Sequence, residues 1–338
     1  MFDSKPSRIN LALQGGGAHG AFTWGVLDTL LRDTRLQFEG LSGSSAGAMN
    51  AVVLAEGWRK GGREGARQAL AAFWDSVAQH MPWPWLTQGQ GEDIGLSPAA
   101  RLLASWAGYF SPAQLNPLAL NPLRNLLLAQ VDFAQLRTHC PFRLFIGTTQ
   151  ASSGKLRLFR EHELTVDMLL ASACLPRIHH AVQIDGEPYW DGGYSANPAV
   201  FPLYYDCSAR DVLLVLLNPL RRPDTPRTVA EIETRIAELG FCANFMREMH
   251  MFAHAREFTS PAWFLPGRLE RRLRQMRFHM IDTSTVPSLQ RSDTKLLAYG
   301  PFLELLREQG CACANEWLAK EYHAIGRRSS IDVKALFG

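Results

Sequence analysis

Two short stretches of this sequence combine residue types and spacings that could make a reaction centre. Residues 11–20 read Leu-Ala-Leu-Gln-Gly-Gly-Gly-Ala-His-Gly, and residues 42–47 read Ser-Gly-Ser-Ser-Ala-Gly, which contains Gly43-x-Ser45-x-Gly47. A glycine loop behind a strand can aim several backbone N–H groups at one oxygen. A serine between glycines on a strand-to-helix turn can project its hydroxyl into a cleft. An oxyanion hole beside a nucleophile is the equipment of acyl transfer.

Each signal alone is weak, because many structural turns match Gly-x-Ser-x-Gly. The flanks sharpen it: an apolar run, Leu36 to Leu41, precedes Ser45, and a run of small and apolar residues, Ala46 to Ala55, follows. That helix would set its positive N-terminal end beside the serine. A phosphate-binding P-loop is disfavoured, since Gly15 to Gly20 lacks the Gly-Lys-Ser/Thr ending. Gly15-x-Gly17-x-x-Gly20 fits a dinucleotide fingerprint, with Glu39 near the ribose-binding offset, but that reading leaves the serine turn unexplained. His250 and His254 stand four apart on a predicted helix, yet Met251 occupies the position where a zinc protease carries glutamate. They are read as structural, as are His179-His180 and Cys174.

The elements that would position these residues follow from periodicity. Ile9 to Leu13 reads as a buried strand, His19 to Leu31 as a helix, Leu36 to Leu41 as a second strand and Ala46 to Ala55 as a second helix. This is a βαβα start. Residues 58–75 predict a further helix with a basic first half. Residues 80–130 change character, with Pro82, Trp83, Pro84, Trp85, Trp106, Tyr109, Phe110, Pro117 and Pro122, and predict an irregular helical cap over about 80–130. Strands are expected at Phe142–Thr148, Leu156–Phe159 and Val212–Leu217. A helix is expected at Val166–Ala173, and a hairpin turning at Asp185-Gly186 ends in Asp191-Gly192-Gly193. Ala230–Phe258 and Pro301–Ala324 predict helices. Leu269, Leu273, Met276 and Met280 share a helical face, with Arg268, Arg271, Arg272 and Arg274 mostly off it.

The order of parts is unlike an ordinary α/β-hydrolase, which places several strands before its nucleophile. It resembles the patatin-like phospholipase family. The resembling blocks are Gly15-Gly16-Gly17-Ala18-His19-Gly20, Gly43-Ser44-Ser45-Ala46-Gly47, Ala171-Ser172-Ala173-Cys174-Leu175-Pro176, and Asp191-Gly192-Gly193 with Asn197-Pro198 behind it. They run from about residue 8 to about residue 217. The resemblance implies a three-layer α/β/α fold with a mostly parallel central sheet in one domain, the cap inserted and 220–338 a C-terminal helical extension. It implies a Ser–Asp dyad, with Ser45 the nucleophile and Asp191 the general base. The N–H groups of Gly15, Gly16 and Gly17 would hold the oxyanion, supported by His19, Gly20, Gly43, Gly47, Gly192 and Gly193. One departure is His19, where the family commonly has arginine. A triad with His19 as base is disfavoured, because a residue on the oxyanion loop faces the wrong side of the nucleophile.

The implied activity is hydrolysis of lipid carboxylic esters, of phospholipase A or lysophospholipase type, with no metal and no organic cofactor. The same dyad would also serve an acyltransferase, a thioesterase or a polyester esterase, and a catalytically weak lipid-binding protein is the reading from another class. Length and composition are those of a globular protein: 338 residues, 46% hydrophobic and 20% charged. A net charge of +3 is too small to imply nucleic acid. Six sparse cysteines without a Cys-x-x-Cys, and an N-terminus without a secretory pattern, lead to an expectation of a cytoplasmic protein. No uncharged apolar run reaches membrane-spanning length, so membrane contact is expected to be peripheral. The aromatic residues of 81–110 are one candidate for it and the arginines of 268–277 another. Head group, acyl length and oligomeric state are not encoded in any motif.

Overall fold

A computed structural model describes residues 6–79, 86–100, 106, 111–117, 121–222, 225–258, 267–281 and 283–338. The chain opens with β1 (Ser7–Leu13), α1 (Gly20–Arg32), β2 (Leu36–Gly43) and α2 (Ala46–Gln79). It continues through β3 (Thr87–Gln88), β4 (Gly95–Leu96), α3 (Pro112–Leu115), α4 (Pro122–Gln130), α5 (Phe133–His139), β5 (Arg143–Gln150), β6 (Leu156–Arg160) and α6 (Val166–Ser172). Then come β7 (Val182–Ile184), β8 (Glu187–Asp191), α7 (Phe201–Asp206), β9 (Asp211–Val215) and α8 (Val229–Phe258). The chain closes with α9 (Arg268–Gln275), β10 (Arg277–Ile281), α10 (Gly300–Glu321) and α11 (Val333–Phe337).

The main sheet runs β10-β9-β1-β2-β5-β8-β7, with β6 also on β5. The first five strands in that order are parallel, while β6, β7 and β8 pair antiparallel, so the sheet is mixed. Side-chain alternation along the strands supplies two cores. Ile9, Leu11 and Leu13 of β1 and Leu213 and Val215 of β9 face α1, α2 and α10. Ala12 of β1 and Val212 and Leu214 of β9 face α7, α8 and α11 on the other side. These two apolar fillings make three layers with the sheet in the middle.

The strand order reverses between β1 and β9. From β1 the chain crosses to β2 through α1 on one face; from β9 it crosses to β10 through α8 on the other. Beyond the carboxyl ends of strands at such a reversal there is a crevice that suits a ligand. The triglycine turn leaves β1 at this reversal, and Leu217 and Asn218 leave β9 beside it. Buried Gln14 ties the two together. Its Oε1 accepts from the N–H groups of Leu217 at 2.6 Å and Asn218 at 2.8 Å, and its Nε2 donates to Asn197 O at 3.1 Å.

Several expectations need correction. Residues 46–79 form two helical stretches, as expected, but the break lies at Gly61-Gly62, whose backbone is not helical, instead of between residues 55 and 58. The helical face proposed for Leu269 to Met280 breaks at Met276: α9 stops at Gln275, and Met280 lies in β10. The segment 220–338 is therefore not only helical, since it lays β10 on the edge of the sheet. Of the stretch 80–130, the described residues hold the small β3–β4 hairpin, α3 and α4. Pro82, Trp83, Pro84, Trp85, Tyr109 and Phe110 lie outside the described residues, and Trp106 is exposed.

Candidate active site

Ser45 occupies the turn from β2 into α2 with φ 54°, a left-handed backbone that a side-chain-bearing residue adopts only when its surroundings enforce it. The enforcement is visible. The Ser45 N–H points at both the carbonyl and the Oγ of Ser172, each at 3.0 Å, and Ser172 Oγ donates to Gly147 O at 2.7 Å. Ser44 Oγ donates to Ala196 O at 2.6 Å. Gly43 and Gly47 let backbone meet backbone: a Cβ on Gly47 would stand 2.1 Å from Leu13 O, and one on Gly43 2.6 Å from the Gly47 carbonyl.

The triglycine turn lies against this serine. A Cβ on Gly15 would be 2.5 Å from Ser44 O and 2.7 Å from the Ser45 Cβ, so only glycine permits the approach. The expected role of the Gly15 N–H in an oxyanion hole does not fit, because that N–H donates to Asn197 Oδ1 at 2.7 Å while Asn197 Nδ2 donates to Gly15 O at 3.3 Å. No hydrogen bond from the N–H of Gly16 or Gly17 is seen among the described residues. Gly17 has φ +59°, and its missing Cβ leaves room for Lys295 O. Gly20 closes the loop against Ala46.

His19 is fully buried and faces away from the serine, with Nε2 2.7 Å from Thr294 Oγ1. The Thr294 hydroxyl donates its single proton to Arg291 O, which assigns the proton between it and His19 to Nε2. His19 Nδ1 is left without a partner among the described residues. Burial, with the Lys295 and Arg222 cations nearby, lowers its pKa to about 3, so the ring is neutral. The neutral imidazole is thus tied to the 291–295 segment.

Asp191 ends β8 and is completely buried. Its backbone is held at both ends, by Cys174 O accepting from its N–H at 2.8 Å and by Thr149 Oγ1 donating to its carbonyl at 2.8 Å. Its Oδ1 accepts from the Gly193 N–H at 2.7 Å, and Oδ2 has no hydrogen bond of acceptable geometry among the described residues. Desolvation pushes this carboxyl up to about 7, against the Gly193 N–H and the Ser45 hydroxyl, which favour the ionised form. No hydrogen bond between the Ser45 hydroxyl and the Asp191 carboxylate is formed among the described residues. Catalytic hydrogen bonds are commonly loose before substrate binds. Gly192 fits tightly under Gly147 O, and Gly193 under the Phe241 ring of α8.

The fold thus brings the glycine turn against Ser45 through Gly15, and the Asp191-Gly192 corner against the neighbouring Ser44. Other candidates lie in structural roles. Glu39 accepts from the N–H groups of Ser208 and Ala209. His250 binds Phe337 O through Nδ1 at 2.9 Å, and His180 reaches Asn116 O at 2.9 Å. Cys174 is buried, its thiol pushed up to about 11 by burial. Among the described residues no group of three or more His, Cys, Asp or Glu side chains could hold a metal ion. Ser172 and Asn197 sat in recognised blocks without an assigned role, and here they hold the serine turn and the glycine turn. Phe241, Thr294 and Lys295 carried no sequence signal at all.

Comparison with known proteins gives three findings. The family model described as "Patatin-like phospholipase" matches residues 11–204, more than half of the chain. A search of curated proteins finds no match. Among solved structures, the chain is similar to VipD from Legionella pneumophila at 14% identity and a TM-score of 0.39, covering 92% of this chain and 67% of that one, a likeness too loose to bear on the site. The span of the family match takes in the glycine turn, the serine turn and the Asp-Gly-Gly corner, and on that basis the chain belongs to the patatin-like phospholipase family, whose members are in general lipid hydrolases.

Proposed function

We propose that this chain is a serine lipid acyl hydrolase of phospholipase A or lysophospholipase type, with Ser45 as nucleophile and Asp191 as its base. One observation carries the reading: a serine in left-handed backbone stands against the triglycine turn, two of whose N–H groups have no partner among the described residues, and its hydroxyl favours the ionised form of the buried Asp191 carboxyl. Ionised Asp191 takes the hydroxyl proton as Ser45 Oγ bonds to the ester carbonyl carbon. The carbonyl oxygen gains the negative charge, and the N–H groups of Gly16 and Gly17 meet it, each such donor contributing about 3 kcal/mol in comparable sites. Collapse breaks the carbon–oxygen bond to the alcohol, which leaves with the proton from Asp191. Water then gives a proton to Asp191 and its oxygen to the acyl carbon. The second collapse releases the fatty acid and returns the proton to Ser45.

The test is labelling by a serine-directed fluorophosphonate, together with release of fatty acid from a mixed phospholipid and glyceride panel. Labelling at Ser45 is expected, with hydrolysis lost in Ser45→Ala and in Asp191→Asn while the fold is retained. Full turnover by either variant would refute the dyad.

A further inference from the structure

One residue far along the chain reaches both ends of the triglycine turn. At the near end stands Gln14, whose Oε1 accepts from the Asn218 N–H at 2.8 Å. Asn218 is buried, and its Oδ1 accepts from Lys295 Nζ at 2.5 Å. At the far end stands Gly17, and the carbonyl oxygen of the same Lys295 lies 2.2 Å from where a Cβ would be. Gly16 sits between, with the Leu217 side chain 3.0 Å from the place of its own missing Cβ. Lys295 thus touches the turn twice, by its backbone at Gly17 and by its side chain through Asn218.

The two touches are separable, because the segment that carries Lys295 is held by other groups. Ser292 Oγ donates to Glu238, Arg222 donates to Gln290 O, and the Leu297 N–H donates to Thr294 O at 2.9 Å. Losing the Lys295 side chain would leave its backbone against Gly17.

A lysine is also an unfavourable group to bury for structure alone, since the ammonium loses water. Burial lowers its proton affinity, and the Arg222 cation adds to the effect. Among the described residues the ammonium bonds to a neutral amide oxygen and forms no ion pair. Glu238 and Cys242 of α8 oppose the shift through space, but Glu238 is already paired with Arg222 at 2.6 Å and Arg235 at 3.0 Å. The field of the ammonium reaches the turn, where it helps to keep His19 neutral. A cation held there favours negative charge on a bound carbonyl oxygen without having to move.

We propose that Lys295 is a positioning residue for the ester reaction: its side chain, by holding Asn218 against Gln14, sets how the N–H groups of Gly16 and Gly17 meet the oxyanion. The proposal rests on the hydrolase reading above. Lys295 exchanges no proton and touches no reacting atom; it acts through Asn218 and the turn.

The test compares the full chain with Lys295→Met, which keeps the apolar stem and removes the donor. For a soluble short-chain ester, kcat per active site is expected to fall about 10- to 100-fold with KM within about twofold of the parent. Active sites are counted by exhaustive fluorophosphonate labelling, so a residue needed only for folding would lower the count and leave kcat per site unchanged. Asn218→Ala should show the same split, and both exchanges together should lose no more than the larger single loss, because they cut one link. Hydrogen exchange reads that link without turnover: the amides of Gly15 and Asn218 should exchange about tenfold faster in Lys295→Met. A kcat per site within about twofold of the parent overturns the proposal, as do additive losses in the double variant or unchanged exchange. If Lys295→Met does not fold, Asn218→Ala decides by the same split and the same exchange. If the parent hydrolyses no ester and takes up no fluorophosphonate, the hydrolase reading falls, while the exchange result still decides whether Lys295 holds the turn.

Discussion

Asp191 carries two opposed demands on one carboxyl. Its burial lifts the pKa to about 7, far above the 3.8 of an unfolded chain. Between those values the folded state holds a proton that the unfolded state releases. Its contribution to stability is therefore complete below pH 3.8 and is lost as pH rises towards 7. Asp191→Asn removes that loss and should stabilise the protein at pH 8 by up to roughly 4 kcal/mol, read as a higher melting temperature, while abolishing hydrolysis. On the proposed mechanism hydrolysis needs Asp191 ionised, so kcat/KM should fall about tenfold per pH unit below 7. His19 works in the other direction. Its pKa falls from 6.5 to about 3, so the stability of the neutral ring is whole above pH 6.5 and drains as pH falls towards 3. His19→Gln should flatten the drop in melting temperature between about pH 6 and 4. Asn197→Ala should lower kcat by about 10- to 100-fold, since the Gly15 clamp that shapes the turn is lost, and fluorophosphonate labelling should slow in step. Of these residues, Ser45 and Asp191 were legible as candidates because their motifs are local and glycines flank them. The diversion of the Gly15 N–H to Asn197 was not, because it joins positions 182 residues apart in sequence.

Among the elements, the ones read correctly are those whose local pattern and tertiary setting agree. The hairpin at Asp185-Gly186 is such a case, with both residues in left-handed backbone as a tight two-residue turn requires. The stretch around Met276 is the opposite case. Its apolar spacing continues a helix, but the exposed edge of β9 offers a ladder of unpaired backbone groups, and Arg277–Ile281 takes it. His279 Nε2 then meets Asp211 Oδ1 at 3.0 Å, and Arg277 pairs with the same carboxylate at 2.7 Å, contacts invisible to a periodicity argument. The crossing of α1 with α10 was equally unreadable. A Cβ on Gly25 would stand 1.9 Å from Arg307 O and one on Gly310 2.1 Å from Phe22 O, so the two backbones touch through reciprocal glycines. Gly310→Ala must pry the helices apart. A loss of about 2–4 kcal/mol is expected by denaturant unfolding.

At the scale of the molecule, the chain beyond residue 220 is part of the same body as the motif-bearing part. It supplies β10 to the sheet, α10 to one core, and α8 and α11 to the other. Ending the chain at residue 220 should therefore leave both cores open, and circular dichroism should show no cooperative unfolding transition. The resemblance could not reveal this, because its blocks stop near residue 217 and the braces of the glycine turn come from the far end of the sequence. Thr294 reaches His19 across 275 positions, and Lys295 fills the space left by Gly17. On the proposed reading, a chain still being synthesised would display its nucleophile and base well before residues 291–295 existed to shape the turn between them. Such an enzyme matures last at the point where its chemistry begins. A ribosome-arrested chain that stops short of that segment should be mute to fluorophosphonate, although every residue of the dyad has already emerged.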